Sequence, residues 1–283
     1  MVLLYTFLVL LCTTCPLSAK TFAQSMQSEW HYWTKEKKSF PDTQKSINNV
    51  IKIFAETVLL LHGNLFSLST FKIVSITFPF YGVTRGFDEK VQQCFFEKNT
   101  RKNKNNPPKW CAELARFSIM PPIVYLGLQA LLSHDEEMRA TAQTFLIGLP
   151  FVLLTKDLIK RLEFHSNLRP FHETLSPHKR CGGGFPSGHM AEAVYTATLF
   201  GMRFGRKYAI PLSLIAAFLG TVFIACNRHY TSQVIAGAAF GAMYAAAANK
   251  VVDWRLNQNR SKKLQLGLTY EGKKPGFSLA MNF

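Results

Sequence analysis

Beyond residue 110 the chain settles into long apolar runs separated by short polar stretches. Five runs of helical length stand out, at 117–133, 140–155, 189–202, 208–226 and 232–249. The fourth holds no charged residue, which is close to what crosses a bilayer, whereas a soluble bundle with a very apolar core would show the same pattern. Upstream, 57–84 carries one charge, Lys72, and reads as one or two helical pieces broken near Gly63 and Pro79, after a polar lead-in at 24–56. Near the end the period changes to two: Leu264, Leu266, Leu268 and Tyr270 alternate, a turn follows at 272–276, and Phe277, Leu279 and Met281 alternate again. The expected fold is an all-α helical bundle with a short C-terminal β-hairpin. The hairpin looks like the last strands of an outer-membrane barrel, but two strands cannot close one, so it is expected to pack on the helices or lie at a membrane surface.

The pattern divides the chain into 1–23, a signal peptide or N-terminal anchor; 24–110, a helical region with a basic loop; 111–252, the core; and 253–283, the tail. The first segment, "MVLLYTFLVLLCTTCPLSAKTFAQ", has an apolar run followed by small residues, with cleavage expected after Ala19 or Ala23. It has no Lys or Arg before the run, so a retained anchor is the other reading. Loss of this segment leaves Cys94, Cys111, Cys181 and Cys226, an even set that an oxidising compartment would permit to pair. Cys94 and Cys111 bracket the basic loop 98–109, so a clamp there and four free thiols are both open readings.

Charge narrows the choice of partner. Lys and Arg number 33 against 17 Asp and Glu, a net +16 that favours anionic partners. The basic residues lie in short clusters between apolar runs and are not interleaved with aromatics on one face, which argues against nucleic acid and for a phosphorylated lipid or other envelope phosphate at a membrane. Three histidines at 165, 172 and 178 fit no zinc spacing, and no metal site is expected from them.

Three loop clusters carry the chemistry. In an up-and-down bundle the loop between the second and third runs shares a side with the loop between the fourth and fifth. That side gathers "KRLEFHSNLRPF" (Lys160, Arg161, Arg169), "PSGH" (Ser187, Gly188, His189) and "NRHYTSQVIAG" (Arg228, His229, Gln233). The stretch "CGGGFPSGH" leads glycines into a helix start, where backbone N–H groups form a cradle for an anion. Cationic side chains can clamp phosphoryl oxygens while two histidines divide nucleophilic attack and protonation of the leaving oxygen. Glu192, one turn after His189, either orients that histidine or faces a polar groove.

These clusters resemble the motifs of the type 2 phosphatidic acid phosphatases (PAP2), which share a helical fold with vanadium haloperoxidases and class A acid phosphatases. The family pattern is a lysine, six residues and Arg-Pro; Pro-Ser-Gly-His; then Ser-Arg, five residues, His, three residues and Asp. The resemblance covers about 117–250. It implies that Arg169 binds phosphate with Ser187 and Gly188, that His189 is the general acid, and that His229 is the nucleophile forming a phosphohistidine, with no metal or other cofactor. The chain is expected to be a membrane-associated protein of the bacterial envelope: with the signal cleaved and the five helices spanning, the motif side faces the periplasm, and a periplasmic bundle whose hairpin touches the membrane is the other reading.

Three positions depart from the pattern. Eight residues separate Lys160 from Arg169, and the family lysine position falls on Leu162. Phe223 stands at the second arginine, for which Arg228 is the nearest replacement. Gln233 stands at the aspartate, as in the dolichyl-diphosphatase-like branch, and can fix an imidazole tautomer without offering charge. The expected function is a metal-independent lipid phosphate or diphosphate phosphatase. The alternatives are a non-catalytic envelope protein that keeps the fold, favoured by Phe223, and a vanadium-dependent haloperoxidase.

Overall fold

Helix α1 (Thr43–Leu65) and helix α2 (Leu68–Gln93) are separated by a tight turn in which the Phe66 N–H donates to the Gly63 carbonyl and the Ser67 N–H to that of Asn64. The break therefore falls just past Gly63, and the one expected near Pro79 is absent. Pro79 lies inside α2, where its ring costs one ladder bond but the helix runs on. This computed structural model describes residues 43–97, 102–103, 109–162, 164, 168–170, 183–271 and 274–281. The candidate signal at 1–23, His165, His172, His178, Cys181 and most of the basic loop lie outside the described residues. The chain forms two compact units, Met1–Ala55 and Glu56–Phe283. In the first, residues 43–55 are helical. The second contains every described residue of the candidate site.

After a two-residue strand pair, β1 (Phe96–Glu97) with β2 (Lys102–Asn103), come helices α3 (Lys109–Ser118) and α4 (Met120–Leu132). Pro121 and Pro122 start α4 at the one place in a helix where a missing N–H does no harm. Helix α5 (Glu136–Lys160) is capped by Asp135, whose carboxylate accepts the Glu137 N–H at 3.0 Å, and Glu136 and Glu137 complement the dipole. Helices α6 (Gly188–Phe204), α7 (Arg206–Ala225) and α8 (Thr231–Lys263) complete the bundle. Four of the five expected apolar runs fall in one helix each, the first is split at Ile119 between α3 and α4, and the last continues well past residue 249. Beyond it, β3 (Leu264–Glu271) pairs antiparallel with β4 (Lys274–Met281), Leu264 opposite Met281.

Among the described residues four helices are long and apolar enough to cross a membrane, Trp110–Leu132, Glu136–Lys160, Arg206–Ala225 and Thr231–Gln258; a bent pair, Ile51–Leu65 with Leu68–Gln93, would make a fifth span. Apolar side chains also cover the outside: Phe71, Ile76, Phe78 and Phe80 on α2 and Leu214 on α7 are exposed, as a lipid-facing surface requires.

The site is positioned by a close crossing of α6 and α8. A Cβ on Gly237 would collide with the Ser187 carbonyl, and one on Gly241 with the Ala191 carbonyl, so these two glycines, one turn apart, let the backbones touch. Next to this seam Phe145 stacks on Tyr195 at 5.5 Å and meets Phe200 edge-on in the main core. A second apolar cluster, with Ala115, Ile119, Leu219 and Phe223, fastens α3 to α7. Cys94, Cys111 and Cys226 are free thiols, so the clamp across the basic loop is not formed; Cys111 and Cys226 pack instead against the Phe223 cluster.

Candidate active site

Helix α7 ends at Ala225 and α8 begins at Thr231; the turn between them folds back on itself. Asn227 takes a left-handed conformation (φ 53), which asparagine tolerates better than most residues, and the N–H groups of Arg228 and His229 both donate to the Phe223 carbonyl, at 2.9 and 3.3 Å. This fold-back lays the His229 ring 5.9 Å from that of Phe223. His189, second residue of α6, meets the same Phe223 ring edge-on at 5.4 Å. The residue standing at the family's second arginine is thus a buried wall shared by both imidazoles.

His229 is only 5% exposed and its Nδ1 lies 2.9 Å from the Gly184 carbonyl. A carbonyl can only accept, so Nδ1 carries the hydrogen and Nε2 carries the lone pair. Burial, then Arg169 and Lys160, push the imidazole down to about 3, against hydrogen bonds to Gln233 and Gly184 that favour the charged ring. His189 is pushed down to about 4 by burial and by Arg116, Lys156, Lys160 and Arg228. Both rings are neutral at neutral pH in the absence of an anion. A phosphate dianion among them reverses the field and raises both.

The cations come from four elements. Arg169 lies against Gly183, where a Cβ would stand 3.4 Å from its guanidinium and where φ is +88, so the glycine serves both the turn and the close approach. Burial and neighbouring Arg228 lower the Arg169 pKa. Lys160 acts on both histidines despite its unusual spacing from Arg169. Arg161 does not join them; it is exposed at the α5 C-cap. Arg228 approaches from its own loop, its guanidinium 6.0 Å over the Phe223 ring and bonded to Glu113 at 2.9 Å.

Ser187 caps α6 and is fully buried, and its Oγ has no hydrogen-bond partner among the described residues. Its N–H is already used, donating to the Gln233 carbonyl at 3.0 Å, so the hydroxyl and the first N–H groups of α6 from Gly188 onward are what it offers an anion. Gln233 does more than face the ring: Oε1 accepts the Tyr230 N–H at 3.1 Å and Nε2 donates to the Leu168 carbonyl at 2.7 Å. It ties the Arg169 segment to the His229 turn.

Lys156 was not singled out by sequence. A Cβ on Gly188 would stand 3.1 Å from its Nζ, so this ammonium lies against the start of α6. Its place one turn before Lys160 on the same helix face was the available signal. Arg116 and Glu113, on α3, had no such signal. Glu192 is buried, within reach of the fields of Lys156 and Lys160. A set of cations, an orphan hydroxyl and a helix N-terminus around two neutral imidazoles suits a tetrahedral oxyanion and two proton transfers.

Residues 141–257 match the family model of the PAP2 superfamily. Over 70 residues the chain is 39% identical to the lipid A 1-phosphatase of Porphyromonas gingivalis; the match spans 24% of this chain and 16% of that protein. Among solved structures it is similar to a transmembrane PAP2 type phosphatidylglycerolphosphate phosphatase from Bacillus subtilis, with a TM-score of 0.46 and 14% identity over 67% of this chain and 96% of that one.

Proposed function

We propose, from the match of residues 141–257 to the PAP2 superfamily model, that the chain is a phosphatase acting on a lipid phosphate or lipid diphosphate through a phosphohistidine. The observation that carries this reading is the His229 ring, with Nδ1 held on Gly184 at 2.9 Å, which leaves the lone pair on Nε2, and with Arg169 and Lys160 near enough to act on the ring. Nε2 attacks, the P–N bond forms as the P–O bond to the lipid breaks, and His189 gives its proton to the departing oxygen. Water then attacks phosphorus, His189 takes back a proton, and P–N cleavage returns His229 and releases phosphate. Arg169, Lys160 and Arg228, with the Ser187 hydroxyl and the α6 N-terminus, balance the charge of the five-coordinate transition state. No step calls for a metal.

The lipid A 1-phosphatase relative and the apolar outer surface support a lipid substrate, presented at a membrane on the side where the three loops meet. Phe223 favours a second reading, a domain that binds phosphate without turning it over. The two separate cleanly. Detergent-purified protein treated with EDTA is expected to release phosphate from phosphatidate micelles, His229→Ala to fall to background, and Arg169→Gln to lose about 10²–10³ in kcat. Phosphate binding with no release by the wild-type protein would establish the second reading.

A further inference from the structure

Helix α2 lies outside the family match, yet one of its faces grips the nucleophile turn three times. Asp88, 1% exposed, accepts the Ser232 N–H at 3.0 Å through Oδ1 and the Ser232 hydroxyl through Oδ2. Gln92, one turn on and fully buried, donates from Nε2 to the His229 carbonyl at 3.0 Å. Arg85, one turn earlier, bonds Asp88 at 3.2 Å and sits 5.7 Å over the Tyr230 ring.

Ser232 is the second residue of α8, and its N–H is one that a cap normally satisfies. Tyr230, ahead of the helix, has no short acceptor side chain to do so, and Asp88 caps α8 from another helix while the Gln233 side-chain Oε1 accepts the Tyr230 N–H at 3.1 Å. The pair of helices does not need a charge for adhesion. A buried carboxylate at an apolar interface costs more than a hydrophobic isostere unless its bonds are put to use. Here every bond of Asp88 and Gln92 to α8 and its approach lands on residues 229–232.

We propose that Asp88 and Gln92 are positioning residues for phosphoryl transfer. They clamp the backbone that leaves the His229 Cα, at the His229 carbonyl and at Ser232, so that Nδ1 stays on Gly184 while Nε2 keeps its line to phosphorus; this rests on the reading of His229 as nucleophile. A displacement of about 1 Å in a reacting group costs on the order of 10²-fold in rate, and neither residue touches the anion cradle. The effect therefore falls on kcat and not on phosphate affinity.

The test uses the full chain in detergent with phosphatidate as substrate and inorganic phosphate as the binding probe. Asp88→Leu and Gln92→Leu are each expected to lower kcat by about 10²-fold, with KM and the phosphate Kd within about twofold of wild type, and to slow phosphohistidine formation in a single turnover. Asp88→Asn, which keeps an acceptor for the Ser232 N–H, is expected to recover part of the loss. Wild-type kcat in Gln92→Leu and Asp88→Asn, or kcat, KM and phosphate Kd declining together with the unfolding midpoint, overturns the proposal. Gln92→Leu keeps its side-chain volume and serves if Asp88→Leu does not fold. Activity surviving in His229→Ala would overturn the reading of the nucleophile itself, whereas inactive His229→Ala with fully active Asp88 and Gln92 variants overturns only this inference.

Discussion

The His229 imidazole is buried, neutral and held at about 3, against an ordinary value near 6.5 for an exposed ring. Between those values the unfolded chain binds a proton that the folded one refuses, so stability falls as pH drops through this window and is fully present above it. The unfolding midpoint is expected to be lower at pH 4.5 than at 7.5, and His229→Gln, which cannot titrate, is expected to flatten part of that slope; an equally steep slope in the variant would contradict it. His189 has a kinetic counterpart. It must be protonated to act as an acid, yet stands at about 4 in the empty site. The pH profile of kcat/KM, which reports the free enzyme, is expected to decline from the acid range upward, while kcat persists to higher pH because bound phosphate raises the ring. Coincident profiles would show that the anion does not retune His189. Arg228 is the third residue to test. It is bound to Glu113 at 2.9 Å and rests on Phe223, and if it serves in place of the second arginine, as proposed, Arg228→Ala is expected to reduce kcat by about 10²–10³.

At the scale of elements, the α6–α8 seam decides where the Ser187 cradle sits relative to His229. Gly241→Ala pushes a methyl into the Ala191 carbonyl and is expected to cost about 1–3 kcal/mol, read as a lower midpoint of thermal unfolding in detergent. Gly82 in α2 has nothing within 4 Å of its would-be Cβ, and there Gly82→Ala is expected to stabilise by about 0.5–1 kcal/mol. A reversed order of the two variants would show that the seam is looser than its geometry. The same elements explain what a reading of the chain could reach. The apolar runs marked the helices and the "PSGH" and "HYTSQ" stretches marked the site, because each of those features is local in sequence. Asp88, Gln92 and Glu113 were hidden, since each is a polar residue on a helix with no motif around it and gains meaning only from a partner over a hundred residues away. Lys160 stands two residues off the family spacing, yet its charge acts on both His189 and His229.

At the scale of the whole molecule, apolar side chains line the outside as well as the core, and the cationic groups gather where the loops between α5 and α6 and between α7 and α8 meet. That arrangement is what the proposed reading requires of a phosphate site at the end of a lipid-facing bundle. Alkaline carbonate washing is expected to leave the protein in the membrane pellet; release into the supernatant would show that the four long apolar helices do not span. The central claim is chemical, and one measurement reaches it most directly. Protein mixed with a lipid phosphate and quenched in alkali within the first turnover is expected to carry a phosphoryl group on His229, located by mass spectrometry and absent from His229→Ala. Phosphate released at full rate with His229 never modified, or modification found on His189 instead, would contradict the account.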